Sequence, residues 1–249
     1  ADAVLVQDLG VLRAAKDAAP ELPVHASTQM SIHNLEGVKL AAALGMTRVV
    51  LARELSRDEI AFICENSPIE IEVFVHGALC MCYSGQCYMS SVIGRRSGNR
   101  GLCAQPCRLN YSTTGHDAEY LLSLRDSCLV EHLGELEEMG VSCIKIEGRM
   151  KRPEYAAIVT GIYSRALKEK RQPTKEELDA LRSAFSRQGF TQGYYNDKKG
   201  PEMFGRREEA DKGSEQLFSA ARRGYMNGEN QRVPVRFIGM LREGTSAKV

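Results

Sequence analysis

Apolar residues fall into short runs of strand length, and helical patterns separate these runs. The runs are ADAVLVQ, PVHAST, TRVVLA, IEIEVFVHG and VSCIKIEG. Helical spacing covers residues 9–18 and 33–44, and Ser56 with Glu59 predicts a capping box at the start of a third helix. YLLSL is predicted as a further short strand and residues 126–139 as a helix. Strands that alternate with helices in this way indicate βα units and a parallel sheet.

The strand pattern predicts five βα units, which begin at Ala3, Pro23, Arg48, Glu70 and Cys143. A closed (β/α) barrel of the TIM type needs eight such units. A doubly wound open sheet fits the same pattern, although no glycine fingerprint for a dinucleotide follows any strand, which counts slightly against a Rossmann fold. The chain begins inside a strand and without Met, so we expect a fragment cut at both ends.

The pattern changes from Pro153 onward. Two helices are predicted there, the second opened by a capping box of Thr174 and Glu177. The stretch 189–230 is rich in Gly, Asn and charge and is predicted to be an irregular linker, followed by VPVRFIG as the first strand of a β-rich extension. We therefore expect a domain at residues 1–188, and at 189–249 a linker with the start of a truncated extension.

Composition narrows the class of protein. The chain is 43% hydrophobic and 26% charged, and its net charge of +1 argues against a general polyanion binder. No apolar run approaches the length of a membrane span, about 20 residues, and no signal peptide is visible. Single cysteines at 64, 128 and 143 suggest a reducing compartment, so we expect a cytoplasmic protein.

The other five of the eight cysteines lie in one glycine-rich stretch, residues 77–107. They are Cys80, Cys82, Cys87, Cys103 and Cys107. Such a group can form disulfides, hold a metal or provide a nucleophile. Six residues separate Cys80 from Cys87 and three separate Cys103 from Cys107. The first spacing is too wide for a zinc knuckle, so an iron–sulfur cluster is favoured, with Cys82 as a neighbour.

Several ordered motifs resemble one family. The run EVFVHGALCMCYSGQCYMS contains Glu-x-Phe, then Gly, a small residue and Cys, then Gly-x-Cys ending in Ser. GLCAQPCR and KIEGRMK follow in order. This arrangement resembles the peptidase U32, or collagenase-like, family, and the tail resembles the extension of its longer members.

The resemblance implies a fold, a cofactor and a reaction. Better-understood members resemble oxygen-independent hydroxylases of transfer RNA, ribosomal RNA or the ubiquinone ring, with a [4Fe–4S] cluster; the RNA-acting members depend on prephenate. The resemblance implies a TIM-type barrel, here without its N-terminal strands. It also implies cluster ligation by Cys80, Cys87, Cys103 and Cys107, with Cys128 as the substitute for Cys107.

In TIM barrels the active site lies at the C-terminal ends of the strands. The polar residues at these ends therefore give the predicted site. Gln29, Arg53 and Arg149 are predicted to bind substrate, either a dicarboxylate such as prephenate or an RNA backbone. His76, Glu54 and Glu147 are predicted catalytic residues, because His76 and Glu147 are able to move protons. Tyr83 and Tyr88 are candidates for stacking on a base.

Two other classes of function stay open at this point. The family name suggests a peptidase acting on collagen-like chains, for which His76 and a nearby cysteine would form a dyad. No HExxH motif is present, and nothing local marks a serine triad. The third hypothesis is a non-catalytic module in which the cluster has a structural role. An RNA hydroxylase of a pyrimidine is favoured over both.

Overall fold

The computed structural model describes residues 1–149 and 151–226. They form an α/β fold. The strands are β1 (Val4–Val6), β2 (Val24–Ala26), β3 (Arg48–Val50), β4 (Glu70–Ala78), β5 (Tyr111–Thr113), β6 (His116–Glu119), β7 (Asp126–Cys128), β8 (Cys143–Ile146) and β9 (Phe190–Thr191). The helices are α1 (Leu9–Ala18), α2 (Leu35–Ala43), α3 (Arg57–Asn66), α4 (Met89–Gly94), α5 (Leu133–Glu138), α6 (Pro153–Glu169), α7 (Lys175–Ala184) and α8 (Glu215–Met226).

The main sheet is mostly parallel, and β4 is its central strand. Strands β1 to β4 lie side by side in chain order and are parallel, and β8 also pairs in parallel with β4. The end of β4 pairs antiparallel with β7, and β9 continues the sheet beyond β7. Within residues 1–149 and 151–226 the sheet does not close into a barrel.

The five predicted βα strands are all present, as β1, β2, β3, β4 and β8. The first predicted helix has the predicted bounds, because the side chain of Asp8 caps it by accepting a hydrogen bond from the amide of Val11. Both predicted capping boxes, at Ser56 and Thr174, form as expected. Helix α6 packs its apolar side onto the sheet, with Val159, Ile162, Tyr163 and Ala166 all buried.

Three local predictions are wrong. YLLSL forms no strand, and only Leu124 makes an isolated bridge, with Phe204. Residues 126–139 are not one helix, because Asp126–Cys128 pairs with the end of β4, and such a pairing outweighs the local helical pattern. The predicted linker contains β9 and α8, and α8 packs against α6.

The predicted strand VPVRFIG lies outside the described residues, and the division at residue 188 stays a prediction. Within the described part of the chain, no helix combines the length and apolar character that a membrane crossing requires.

Strand β4 approaches the segment after β8 so closely that one position excludes any side chain. Gly77 has a φ of +108°, and a Cβ there would lie 2.5 Å from the carbonyl oxygen of Glu147 and 3.2 Å from the hydroxyl of Tyr155. Both the backbone angle and the space therefore require glycine. This close approach places Glu147 beside the start of the cysteine-rich stretch.

We predict that Gly77→Ala lowers the free energy of unfolding by more than about 2 kcal/mol, because backbone strain and a backbone collision add together. Gly140→Ala is the matched control, since Gly140 also has a positive φ, +86°, but open space around its Cα. The free energy of unfolding of this control should fall by only about 1–2 kcal/mol, which is the cost of placing alanine in a left-handed backbone conformation. Urea unfolding of both variants measures the difference, and equal losses would contradict the close approach.

Candidate active-site cavity

The stretch 77–107 is fastened to the ends of β2 and β3 by hydrogen bonds. The amide of Ser84 donates to a carboxylate oxygen of Glu54, and the carbonyl of Ser84 accepts from the hydroxyl of Ser31 at 2.7 Å. The side-chain oxygen of Ser84 accepts from the amide of Arg53 at 3.1 Å. Ser84 is thus held on three sides, which fixes the chain between Cys80 and Cys87 against the strand ends.

A second set of contacts closes the stretch from its far side. The side chain of Gln29 donates to the carbonyl of Gly98 at 3.4 Å, and that of Asn99 donates to the carbonyl of Gly85 at 3.2 Å. Gly85 has a φ of +78°, and a Cβ there would collide with the carbonyl of Gln29. The glycine lets the stretch fold directly onto the segment after β2.

Beneath this stretch lies a cavity of about 920 Å³. Its lining contains all five clustered cysteines, namely Cys80, Cys82, Cys87, Cys103 and Cys107. It also contains four of the six other predicted site residues, namely Gln29, Arg53, Glu147 and Arg149. The structure therefore brings together most of the predicted site at the strand ends.

The clustered cysteines are free thiols. Cys80 is exposed to the cavity, yet it lies deep enough in the protein that loss of solvent raises the pKa of its thiol, against the opposing charge of Arg53. Among residues 1–149 and 151–226, no three His, Cys, Asp or Glu side chains meet closely enough to hold a single metal ion. The thiols share one cavity wall without converging on one point.

Cys128 is not part of this wall. It is buried in the core, with its sulfur 3.8 Å from the hydroxyl oxygen of Tyr163. The structure therefore does not bring this alternative ligand to the other cysteines.

Arg53 connects three parts of the cavity wall. Its Nη2 donates to Glu147 at 2.9 Å, and its Nη1 donates to the carbonyl of Ala78 at 3.1 Å and lies 3.8 Å from the sulfur of Cys80. The guanidinium lies 3.9 Å from the centre of the Phe74 ring, a cation–π contact. Its Nε is buried and has no hydrogen-bond partner in the described chain.

Glu147 stays ionised because of its two arginine neighbours. Burial alone would raise the pKa of Glu147, but the charge of Arg53 and the hydrogen bond from the amide of Arg149 outweigh burial and lower it. A carboxylate with a lowered pKa, already bound by Arg53, is a poor proton carrier near neutral pH. Glu147 therefore positions Arg53, while the side chain of Arg149 is exposed at the cavity.

Two predicted catalytic residues do not line the cavity. Glu54 is engaged by the amide of Ser84 and supports the cysteine-rich stretch. His76 is only 1% exposed and lies in the core, with the rings of Tyr155, Tyr163 and Phe190 around it.

The environment of His76 keeps its ring neutral. Tyr163 donates its hydroxyl proton to the carbonyl of Val75 at 3.0 Å, so the hydroxyl oxygen accepts from Nδ1 of His76 at 3.2 Å. Nε2 of His76 is buried without a partner in the described chain. Burial, with the charge of Lys151 adding to it, lowers the pKa of His76 to about 3.

The sequence reasoning missed four cationic residues that line the same cavity, namely Arg108, Lys145, Lys151 and Arg187. Lys145 is neutralised by Glu72, whose carboxylate it contacts at 2.7 Å. Burial lowers the pKa of Lys151 to about 7; Asp126 opposes this effect and Arg187 adds to it. The motifs KIEGRMK and GLCAQPCR contain Lys151 and Arg108, but their spacing carries no signal of a shared site.

Comparison with known proteins identifies the family. The profile of Peptidase family U32 matches residues 1–205. The chain therefore belongs to this family, as the sequence motifs predicted.

Two RNA-modifying relatives are similar to this chain. The 23S rRNA 5-hydroxycytidine C2501 synthase of Escherichia coli (strain K12) is 42% identical over 172 residues, which cover 67% of this chain and 26% of that protein. The tRNA hydroxylation protein P1 of Bacillus subtilis (strain 168) is 39% identical over 176 residues, covering 66% of this chain and 42% of that protein.

A third relative is named for proteolysis. The collagenase of Porphyromonas gingivalis (strain ATCC BAA-308 / W83) is 34% identical over 218 residues, covering 78% of this chain and 52% of that protein. The chain thus spans between 26% and 52% of the length of these three relatives.

We predict that His76 makes the protein less stable at mildly acidic pH. The unfolded chain protonates His76 below its ordinary pKa of 6.5, whereas the folded chain does so only near 3. The stabilisation that the neutral ring of His76 provides is therefore complete above about pH 6.5, and it is lost as the pH falls from there toward 3. The free energy of unfolding should lose about 1.4 kcal/mol through His76 between about pH 7.5 and 5.5.

Urea unfolding of the parent and of His76→Phe at these two pH values measures this contribution. The variant keeps an aromatic ring in the pocket and should lose that part of the pH dependence. His33→Phe, at an exposed position, is the control and should keep it. An unchanged pH dependence in His76→Phe would show that His76 keeps its ordinary pKa in the folded protein.

Proposed function

We propose that this chain is the cluster-binding part of an oxygen-independent hydroxylase that adds a hydroxyl group to a pyrimidine of ribosomal or transfer RNA. The observation that carries the proposal is the single cavity that collects five thiols together with arginine and lysine side chains. The two relatives named for RNA hydroxylation support the choice of substrate.

The donor set of the cavity fits a [4Fe–4S] cluster. Cys80, Cys87, Cys103 and Cys107 are free thiols on one wall, and each ligand of such a cluster binds a different iron, so the sulfurs need not converge on one point. The charge of Arg53 acts on Cys80, as does that of Arg108, and both would offset the negative charge of four thiolates. Cluster ligation by these four residues is part of the proposal. When bound, the group would supply one-electron transfer.

The remaining residues of the cavity bind and orient substrate in this proposal. The side chains of Gln29 and Arg149 line the cavity and form no salt bridge there within the described chain, and they offer donors to a dicarboxylate such as prephenate, the co-substrate that we propose. Tyr83 and Tyr88 are 75% and 60% exposed beside the same cavity and provide rings on which an RNA base stacks.

Peptidase activity is the second candidate, and the relative named collagenase supports it. A cysteine nucleophile needs a histidine base within reach. No histidine is among the residues that line the cavity in the described chain, and His76 faces Tyr163 in the core. The geometry therefore favours hydroxylation over thiol-dependent proteolysis.

We further propose that the parallel sheet is part of a TIM-type barrel and that the protein works in the cytoplasm, where its proposed RNA substrates are found. A position of the cavity at the C-terminal ends of β2, β3 and β8 is the arrangement that such a barrel uses for its active site.

We predict that the full-length protein, purified without oxygen, contains about four iron and four acid-labile sulfide per chain. Cys80→Ala should lose both, because the cluster would lose one of its four ligands. Cys64→Ala is the matched control, since Cys64 lies outside the cavity and burial raises its pKa to about 11. Iron and sulfide analysis and the visible absorption spectrum provide the measurements.

Mass spectrometry of RNA nucleosides then tests the reaction itself. RNA treated with the parent and Cys64→Ala should gain one oxygen atom on a pyrimidine, and RNA treated with Cys80→Ala should not. Iron-free parent protein that cleaves gelatin, with loss of cleavage after thiol blocking, would overturn the proposal in favour of the peptidase.

A further inference from the structure

One end of the cavity carries positive charge that the described protein leaves uncompensated. We define this cationic end by Arg108, Lys151 and Arg187, which all line the cavity. They come from three separate segments of the chain. Arg187 is only 5% exposed, and the other two are half-buried.

Only one carboxylate pairs with these three cations. Arg187 donates from Nη1 to both carboxylate oxygens of Asp126, at 2.7 Å each. Arg108 donates to the carbonyls of Leu79 and Leu124, which carry no formal charge. The amide of Lys151 donates to the carbonyl of Gly148, but its ammonium group makes no hydrogen bond or ion pair to the described residues. With Lys151 protonated, three cations against one carboxylate leave an excess of two positive charges at this end, and with Lys151 neutral the excess is one.

The clustered thiols account for only part of this excess. Cys107 and Cys80 act on Arg108, so a thiolate cluster would offset that guanidinium. The charges that act most strongly on Lys151 are instead Asp126, Arg187, Arg207 and Arg108. With Asp126 already bound by Arg187, the surroundings of Lys151 are dominated by guanidinium groups.

Aromatic rings hold Lys151 in place without neutralising it. Its Nζ lies over the ring of Phe185 and 5.7 Å from the centre of the Tyr155 ring. Arg207 and Arg187 contact the same Phe185 ring, at 4.0 and 4.9 Å from its centre. Cation–π contacts orient these groups, but an unpaired buried cation still costs free energy that an anion would remove.

We propose that the cationic end is a subsite for one carboxylate or phosphate group of a small molecule. A small molecule is favoured over an RNA backbone because Arg187 is buried inside the cavity, where a surface-tracking phosphodiester chain does not reach. The subsite uses other side chains than Gln29 and Arg149, to which the proposed dicarboxylate was assigned above, and it shares only Arg108 with the charge balance of the proposed cluster.

The pH dependence of binding follows from the charge of Lys151. Without ligand, Lys151 has a pKa of about 7, lowered by burial and by Arg187, Arg207 and Arg108 and opposed by Asp126. A bound anion favours the charged form and raises this pKa. Below pH 7 the lysine is already charged and binding is strongest; above pH 7 binding must include proton uptake, so Kd should rise by up to about tenfold per pH unit.

Isothermal titration calorimetry of the full-length protein tests this. Malonate stands for a carboxylate ligand and sulfate for a phosphate group; both are fully ionised above pH 7, so any proton uptake belongs to the protein. Titrations at about pH 8 in Tris and in HEPES buffer, which differ in ionisation enthalpy, give the number of protons taken up. We expect close to one proton per bound anion near pH 8, and clearly fewer near pH 6.5.

Three variants separate the subsite from general charge effects. Lys151→Met should weaken binding at least tenfold near pH 6.5 and abolish the proton uptake near pH 8. Lys151→Arg should bind without uptake, because arginine stays charged. Lys145→Met should keep both the affinity for the anion and the proton uptake, since Lys145 lines the same cavity but is already paired with Glu72.

Failure of both anions to bind, binding of RNA alone, or proton uptake that persists in Lys151→Met would overturn the subsite. These measurements do not use hydroxylation. The subsite and the proposed reaction can therefore fail separately.

Discussion

The ion pair between Arg53 and Glu147 is the interaction on which the cavity depends. It joins the end of β3 to the end of β8 across β4, and the same guanidinium contacts the carbonyl of Ala78 and approaches Cys80. Both side chains are mostly shielded from water, at 12% and 22% exposure. Breaking such a pair would leave an unpaired charge in a poorly hydrated place, which costs far more than an exposed pair is worth. The pair therefore holds three strand ends and the start of the cysteine-rich stretch in one arrangement.

The ion pair changes the roles that the sequence predicts for Arg53 and Glu147. At the sequence level Arg53 is a free ligand for a carboxylate and Glu147 is a proton carrier. In the structure each satisfies the other, and Glu147 keeps its charge because Arg53 and the amide of Arg149 outweigh the effect of burial. The pair thus supports the site, and a direct part of either residue in the chemistry stays a prediction. Uncompensated positive charge lies elsewhere, at Lys151 and its arginine neighbours.

The sequence was a good guide to the elements whose signals are local. Apolar runs predicted β1, β2, β3, β4 and β8, because a strand buried in a parallel sheet reads as a short apolar segment. The expectation that polar residues at the C-terminal ends of the strands lie close together was confirmed for Gln29, Arg53, Glu147 and Arg149, which line one cavity. Glu54 and His76 do not line this cavity. Arg53 and Glu54 both lie in a turn after β3, in which Arg53 faces the cavity while Glu54 accepts a hydrogen bond from the stretch above it.

The failure at His76 has a different physical origin. The pairing of β4 with β8 shifts register between Phe74 and His76, and Gly77 then adopts a positive φ. Phe74 and Ala78 line the cavity, whereas His76 turns into the core toward Tyr163. No local pattern in the sequence encodes such an irregularity, because it arises from the pairing of two distant strands.

The cationic end could not be predicted for a related reason. Asp126 reads locally as the first residue of a helix, yet pairing with β4 makes it a buried strand residue that binds Arg187. Arg108 and Lys151 reach the same place from two other segments. Only the assembled fold shows that these cations and the clustered thiols line one cavity.

The thiols and the cations of the cavity limit how a substrate binds there. With a net charge of only +1, the chain has no general attraction for RNA, so contact with the proposed RNA depends on local groups such as Arg100, which lines the same cavity as Tyr83 and Tyr88. A base that reaches the thiols must leave its stack, while a small anion held at Lys151 lies inside the same cavity. The proposed RNA and the proposed inner anion therefore need not compete for one set of cations, because Arg100 is exposed, whereas Arg187 is buried beside Lys151.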